Sequence, residues 1–399
     1  MTHKIQFAVA GVLIFLIQLF NPAIAEDLPG KRDSVYSAIL NQNRIFQVLV
    51  PEDYKPGSTD KFDVLYLLDG ESNINLFNHV ERFMREDSFI PHTIVVAIHN
   101  IDRNKDFTPT HLEGISNSGG AENFLAFIKN ELVPYINKTY PANGDNILYG
   151  HSFGGVFAMY ALLMEPELFQ SYIAIDPSFW WDNQYLQKLT AEKVKAGSNF
   201  NKTLFIAGRE GGDYKGMGIA SMDSVLKATA PKNLNWKSVA YANESHNSIR
   251  YKSIYDALKF NYTGYNSKVE FHPMNGIVLK NKPFKVWAFT DHPLIRYTSN
   301  GSEPDSTSLK VEQEINLSGP AILKIRTFSS SAKHDKTSSG NYTEGKAFPA
   351  TSKPKNATSG GFNYSYYEGE WDKLPNFKTL KALKTGIADS TFNIKMFGR

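Results

Sequence analysis

A serine between two glycines, Ser152, is the strongest chemical signal in this sequence. It lies in the motif Gly-His-Ser-Phe-Gly at residues 150–154, after a short apolar run and before an apolar segment with helical spacing. Glycines at these positions let a strand turn sharply into a helix, so that the serine side chain is exposed at the tip of the turn. The motif predicts a nucleophilic serine, with the amide of Phe153 directed at the oxyanion that forms after attack.

A serine hydroxyl needs a base to accept its proton, and the base needs an acid to hold its tautomer. The candidate base is His246, the only histidine that follows the serine motif within the first predicted domain. Three carboxylates are open as the acid. Glu210 is preferred because it follows a predicted strand; Asp213 lies in the same loop, and Asp176 ends the preceding strand. A site without a working acid is the remaining alternative.

The oxyanion needs a second amide donor besides the amide after the serine. A strand buried on both faces is expected at Phe62–Leu68, because this apolar run shows no alternation. The loop after it offers the amides of Gly70 and Glu71. Because functional groups in a parallel sheet lie at the carboxyl ends of the strands, we expect one of these amides to complete the oxyanion hole.

Composition excludes several other kinds of chemistry. The chain has 399 residues, a formal net charge of +3 and no cysteine. Its charges are interspersed, so no field of one sign indicates a nucleic-acid partner. The ten histidines show no zinc-ligand spacing. We therefore expect no metal, no cofactor, no disulfide and no nucleic-acid partner.

Strand-like and helix-like segments alternate from about residue 34 to residue 260, which predicts a doubly wound, mostly parallel α/β sheet. Two edge strands are expected within residues 34–50, and further strands at 62–68, 93–98, 146–149, 171–175, 202–207 and 235–240. Helices are expected at 73–84, 124–136, 156–164, 184–195, 222–229 and 249–260.

Five ordered segments, at residues 64–71, 102–109, 124–140, 150–155 and 176–181, resemble the putative esterase family. That family includes esterase D-like enzymes and the enterochelin esterases. The resemblance covers about residues 34–262 and implies an α/β-hydrolase fold, with Ser152 as nucleophile and His246 as base. Some siderophore-cleaving members of the family manage without a clear acid, which keeps that alternative open.

The resemblance also implies a substrate pocket between two of these segments. Arg103 and Asp106 would line it from the segment at residues 102–109. Trp180 and Trp181 would line it from the segment at residues 176–181, although core packing is an equal alternative for both tryptophans.

The amino-terminal residues have the pattern of a signal peptide. Lys4 precedes an apolar run at Phe7–Phe20, and Ala23-Ile24-Ala25 offers small residues for cleavage. We expect cleavage after Ala25 and a secreted or periplasmic protein without a membrane span. A retained anchor is the alternative, but this apolar run is shorter than the ~20 residues that a spanning helix needs.

The domain assignment is a signal peptide at residues 1–25 and an esterase domain at 26–265, followed by smaller β-rich parts. Short strand-like runs at residues 266–345 predict a small Ig-like sandwich that resembles the module of chitobiase-type glycosidases. Residues 346–361 indicate a linker, and residues 362–399 resemble part of a PA14-type β-module.

Together these patterns predict an exported serine carboxylester hydrolase. Because the appended modules resemble those of carbohydrate-active proteins, the preferred substrates are acyl or feruloyl esters of carbohydrate. A siderophore trilactone of the enterobactin type is the alternative within the same chemistry. Acyl transfer to a sugar hydroxyl, or binding without catalysis on a hydrolase scaffold, are the alternatives from other classes.

Overall fold

The computed structural model describes residues 28–52, 54–195, 200–266, 269–289, 294–346, 348 and 361–388. The chain divides into two compact units with the boundary between Glu344 and Gly345. The predicted signal peptide and most of the predicted linker lie outside the described residues. Within the described ranges, no helix is both long enough and apolar enough to cross a bilayer.

The first part of the larger unit is built on an eight-stranded sheet with the strand order β1-β2-β4-β3-β5-β6-β7-β8. The first two strands pair antiparallel at one edge, and β4, β3 and β5–β8 run parallel to one another. The predicted mostly parallel sheet is therefore confirmed. The strands are β1 Lys31–Ser37, β2 Gln42–Leu49, β3 Phe62–Leu67, β4 Thr93–Ile98, β5 Ala142–His151, β6 Ser171–Ile175, β7 Lys202–Arg209 and β8 Leu234–Tyr241.

Helices cover both faces of this sheet, and each face has its own apolar core. Along β3, Val64 and Tyr66 belong to one core, whereas Leu65 and Leu67 belong to the other. Burial on both faces explains why this strand reads as a continuous apolar run. The helices are α1 Gly70–Glu86, α2 Arg103–Phe107, α3 Ala121–Phe127, α4 Val133–Thr139, α5 Phe153–Met164, α6 Trp181–Lys193, α7 Gly212–Gly216, α8 Ile219–Thr229 and α9 Ile249–Asn261, with a π-helical turn at Ile128–Leu132.

Different helices pack on the two faces of the eight-stranded sheet. α1 and α9 pack on one face, with buried residues such as Phe77 and Ile254. The long helix after the serine motif, α5, lies in the other layer and is almost entirely buried. A helix that is apolar all round needs cover on every side. Here the sheet and the neighbouring helices α2, α3 and α6 supply that cover.

A small β-sandwich completes the larger unit. Its five-stranded sheet has the order β10-β16-β15-β12-β13, and its three-stranded sheet has the order β14-β11-β9. Residues from both sheets, such as Phe271 and Ile325, share one core. The strands are β9 Glu270–His272, β10 Gly276–Val278, β11 Phe284–Phe289, β12 Ile295–Thr298, β13 Leu309–Lys310, β14 Glu314–Leu317, β15 Ala321–Thr327 and β16 Thr337–Glu344.

A charged contact joins the sandwich to the esterase-like part. Lys333 and His334, on a 3₁₀ turn of the sandwich at Ala332–His334, bind the buried carboxylate of Asp63 at the start of β3. Since Asp63 is the second residue of this strand, the contact lies at the amino-terminal end of the parallel strands, the end opposite to the serine motif.

The smaller unit contains an antiparallel pair of strands, β17 Phe362–Tyr366 and β18 Lys384–Ala388. A 3₁₀ turn at Phe377–Thr379 lies between them, and the Phe377 ring packs on Tyr367 at 5.1 Å between centroids. The PA14-like interpretation of this segment stays a prediction.

Candidate active site

The nucleophile turn joins β5 to α5, and Ser152 stands at its tip. Its backbone has φ 60° and ψ −117°, a strained conformation for a residue with a side chain. A Cβ on Gly150 would lie 2.0 Å from the carbonyl oxygen of Gly154, so glycine is required there. The amide of Ser152 donates to the carbonyl of Ile175 at 2.9 Å. The turn is therefore tied to the end of the neighbouring strand β6.

His246 lies in the loop between β8 and α9, and its partner is Asp176. The Nδ1 atom of His246 is 2.6 Å from the Oδ2 atom of Asp176. Asp176 follows β6, has a fully buried side chain, and also accepts from Nε of Arg209 at 2.6 Å. Burial alone would raise the pKa of Asp176, but the hydrogen bonds from His246 and Arg209 outweigh it and lower the pKa. The carboxylate is therefore held ionised beside the imidazole.

Glu210, the acid that the sequence favoured, is not the carboxylate that contacts His246. β7 extends to Arg209, and the amide of Glu210 pairs with the carbonyl of Tyr241 at 3.0 Å, which leaves its side chain exposed. In the described part of the chain, no hydrogen bond joins Glu210 to His246. Asp213 forms an ion pair with Arg209 at 2.5 Å and is more than half exposed. Of the three candidate acids, Asp176 is therefore the one whose carboxylate the structure places on His246.

His151 directly precedes Ser152, and its side chain contacts the loop that carries His246. Its Nε2 atom lies 2.7 Å from the carbonyl oxygen of His246, and the centroids of the two imidazole rings are 4.4 Å apart. Burial, together with the neighbouring His246, lowers the pKa of His151 to about 3. His151 is therefore neutral and donates from Nε2 to the carbonyl. Sequence offered no signal for this contact beyond its position next to Ser152.

The two expected oxyanion donors lie at the starts of two helices that follow adjacent strands. Phe153 begins α5 after β5, and Gly70 begins α1 after β3. The first amides of a helix have no acceptor within the helix, so they are available to a ligand. A Cβ on Gly70 would lie 2.6 Å from the backbone carbon of Ala97, which explains the glycine. The neighbouring Glu71 has an exposed side chain that accepts from the amide of Asn100 at 3.3 Å.

The two residues predicted on one side of the pocket have different positions. Arg103 lies beside the nucleophile turn, because it donates to the carbonyl of His151 at 3.1 Å and stacks over the ring of Phe153. Asp106 is only 2% exposed and forms an ion pair with the buried Arg44 at 2.8 Å. Its expected place in the substrate pocket is therefore wrong: it belongs to the domain interior.

The two tryptophans after Asp176 also differ. Trp181 is buried, packs against Phe153 at 5.2 Å between ring centroids, and donates from its indole nitrogen to Thr110 at 2.9 Å. Trp180 is 43% exposed and lies 6.2 Å from the same Phe153 ring. Trp180 is thus a partly exposed aromatic side chain beside the nucleophile turn, and the buried Trp181 ring lies 6.0 Å from it.

The hydroxyl of Ser152 is turned toward Ser178, with 3.4 Å between the two Oγ atoms. Among the described residues no hydrogen bond joins Ser152 to His246. Hydrogen bonds between catalytic groups are often formed only when substrate is bound. In the same described ranges, no group of three or more His, Cys, Asp or Glu residues is arranged to hold a metal ion.

The sheet order, the helices on both faces and the strained serine turn define an α/β-hydrolase. The chain matches the family described as Putative esterase over residues 37–263, more than half its length, and it belongs to that family. The protein is therefore a carboxylic ester hydrolase, as the sequence predicted.

The chain is also similar to several named proteins. The ferri-bacillibactin esterase BesA of Bacillus subtilis is 28% identical over 200 residues, which are 45% of this chain and 69% of BesA. A siderophore enterobactin esterase of Emericella nidulans is 32% identical over 185 residues, which are 40% of this chain and 59% of that enzyme. The crystal structure of an IroE-like serine hydrolase from Shewanella oneidensis is 32% identical, with a TM-score of 0.54, and the match covers 58% of this chain and 79% of that chain.

Proposed function

We propose that this protein hydrolyses the ester bonds of a siderophore, with Ser152 as nucleophile, His246 as base and Asp176 as acid. The observation that best supports serine ester hydrolysis is the His246–Asp176 hydrogen bond beside the strained Ser152 turn. The curated relatives that act on siderophores support this substrate class. The carbohydrate-linked ester expected from the C-terminal modules has no such support and stays a prediction, as does export.

Acylation begins when the Ser152 hydroxyl turns from Ser178 toward His246. The base takes the hydroxyl proton while Oγ attacks the ester carbonyl, which gives a tetrahedral oxyanion. Asp176 stabilises the imidazolium and holds the tautomer in which the free nitrogen faces the serine. The carbonyl is then restored as the C–O bond to the alcohol breaks, and His246 returns the proton to the departing alkoxide.

Deacylation repeats the sequence with water. His246 accepts a proton from water, the resulting hydroxide attacks the acyl carbonyl, and Ser152 leaves with the proton that His246 returns. In both halves the amides of Phe153 and of Gly70 or Glu71 stabilise the oxyanion. Removal of one such donor costs on the order of 100-fold to 1,000-fold in rate.

The test is product analysis by mass spectrometry with purified protein. We expect ring-opened and monomeric products from enterobactin and bacillibactin, each assayed iron-free and as the ferric complex. Acetylated xylan and a feruloylated oligosaccharide serve as the comparison, and Ser152→Ala as the inactive control. Efficient cleavage of a carbohydrate ester with no cleavage of either siderophore would overturn the siderophore assignment. Ester transferred to an added sugar, in place of free acid, would indicate acyl transfer.

A further inference from the structure

A single arginine joins the two segments that carry the expected oxyanion donors. Arg103 binds Asp69 through two hydrogen bonds, from Nε to Oδ1 at 2.6 Å and from Nη2 to Oδ2 at 3.1 Å. Nη2 also donates to the carbonyl of His151 at 3.1 Å. Asp69 directly precedes Gly70, and His151 directly precedes Ser152. One planar guanidinium therefore spans from the start of α1 to the nucleophile turn.

The surroundings hold this guanidinium in place. It lies over the rings of Phe107 and Phe153, 5.5 and 5.4 Å from their centroids. Asp69 is nearly buried and also accepts from Asn100 at 2.6 Å. A two-point contact with a carboxylate fixes orientation as well as distance, which a lysine does not reproduce.

We propose that Arg103 and Asp69 are a positioning pair for the oxyanion hole, a role that rests on the proposed catalytic use of Ser152. The oxyanion must lie about 3 Å from two amides at once, so the separation of those amides decides how well both donate. Arg103 sets that separation by holding the Asp69–Gly70 and His151–Phe153 segments together.

Charge gives the pair a second effect. The Asp69 carboxylate lies next to the amide that would stabilise the oxyanion, where an unpaired negative charge would repel it. Arg103 neutralises that charge. Arg103 is thus assigned to the enzyme framework, in place of the substrate contact that the sequence suggested.

The experiment compares Arg103→Met, Asp69→Asn and the double variant, with a short p-nitrophenyl ester as substrate. For Arg103→Met we expect kcat to fall about 100-fold with KM changed less than about threefold, because a misplacement of about 1 Å costs that much in rate. Affinity for a boronic acid, which forms a tetrahedral adduct with serine, should fall in parallel. The double variant should be no less active than Arg103→Met alone, because it also removes the unpaired charge.

Arg326→Met in the sandwich is a matched control. Arg326 pairs with Asp335 at 3.1 Å, lies over the Phe328 ring at 5.2 Å, and has 31% side-chain exposure against 32% for Arg103. This variant should keep wild-type kcat. A rise in KM with unchanged kcat in Arg103→Met would show a substrate contact and overturn the proposal, and so would a kcat no lower than in the control.

Two further variants keep the test decisive. If Arg103→Met does not fold, Asp69→Asn carries the same comparison, because asparagine keeps the shape of the side chain. Arg103→Lys should recover only part of kcat, since one ammonium cannot reproduce the two-point contact. Full activity in Ser152→Ala would place the chemistry elsewhere and would defeat the proposed function, independently of how the Arg103 variants behave.

Discussion

The Nδ1 atom of His246 lies 2.6 Å from Oδ2 of Asp176, a carboxylate that is fully buried and also bound by Arg209. Asp176 follows the strand directly after the nucleophile, and its main-chain neighbour Ile175 accepts from the amide of Ser152. Nucleophile and acid thus stand at the ends of adjacent strands. His246 contacts Asp176 from the loop between β8 and α9.

This contact predicts the effect of Asp176→Asn. Asparagine keeps the size but removes the charge that holds the correct imidazole tautomer, and in a serine triad such a change lowers kcat about 10,000-fold. Steady-state kinetics with a p-nitrophenyl ester measure it. Glu210→Gln is the control and should stay within about twofold of wild type. If the Glu210 variant lost activity and the Asp176 variant did not, the acid would be misassigned.

The carboxylate that pairs with His246 could not be selected from the sequence alone. Asp176 and Glu210 both follow predicted strands, so position along the chain does not separate them. The choice is made by the side-chain direction, since Arg209 at the end of β7 turns toward Asp176 while the Glu210 backbone pairs with Tyr241. The predicted position of Asp106 in the substrate pocket was wrong for a similar reason. Its partner Arg44 is remote in sequence, and no local pattern indicates the pair.

Secondary structure was predictable from the sequence wherever burial of an element requires a clear pattern of apolar residues. β4 and β6 have the expected bounds because each is an apolar run covered on both faces. β16, Thr337–Glu344, shows no such apolar run, because it is polar and mostly exposed. The helix predicted from residue 184 agrees with the backbone of α6, because Asp182, Asn183 and Gln184 have positive φ and the regular right-handed helix follows them.

A second prediction concerns the His151 side chain. It donates to the carbonyl of His246 and stacks on its ring, so it holds the loop that carries the base. His151→Phe keeps a ring but removes the donor, and we expect kcat to fall about 10-fold to 100-fold through misplacement of the base. His151→Gln, which keeps a donor, should lose less. Equal losses in both variants would show that the hydrogen bond is unimportant.

The contact between sandwich and sheet predicts a stability change in acid. Asp63 accepts from Asn143 at 2.6 Å and Tyr262 at 3.0 Å, and binds Lys333 and His334 of the sandwich. Burial alone would raise its pKa, but His334, Lys333 and Asn143 together lower the pKa of Asp63 from 3.8 to about 2. A lowered folded-state pKa stabilises the protein above the unfolded value, and that stabilisation is lost as pH falls from about 4 to about 2.

The shift corresponds to about 2 kcal/mol of unfolding free energy. Urea unfolding of wild type and Asp63→Asn, at pH 7 and at pH 3, measures it. We expect the wild type to lose more stability between these pH values than the variant does. Asp60→Asn, at an exposed position of the preceding loop, should behave like wild type. An equal pH dependence in wild type and Asp63→Asn would contradict the prediction.

Glu81 on α1 predicts the opposite pH dependence. Its side chain is nearly buried, and burial raises its pKa from 4.5 to about 7, because the ion pair with Arg85 at 3.4 Å offsets only part of the desolvation. A raised folded-state pKa stabilises below the unfolded value, and the stabilisation is lost as pH rises through about 7. Glu81→Gln should therefore gain stability relative to wild type on going from pH 5 to pH 8, by up to about 3 kcal/mol.

Thermal or urea unfolding at the two pH values measures this gain. Glu86→Gln, in the same helix but with an exposed side chain, is the matched control and should show no such gain. A constant difference between Glu81→Gln and wild type across this range would show that Glu81 is ionised throughout.

The partly exposed side chain of Trp180 predicts a preference for esters that carry an aromatic group. Because this ring stands beside Phe153, whose amide is an expected oxyanion donor, an aromatic group attached to the ester can stack on it. Trp180→Ala should lower kcat/KM about 10-fold for a dihydroxybenzoyl-bearing ester, since such stacking adds roughly 1 kcal/mol to the loss of apolar contact. Hydrolysis of an acetyl ester should be unchanged, and Trp180→Phe should keep most of the preference.

Tyr251→Ala, which removes an exposed aromatic side chain from α9, is the control. Equal losses for the acetyl and the aromatic ester would show that Trp180 supports the turn and does not select the substrate.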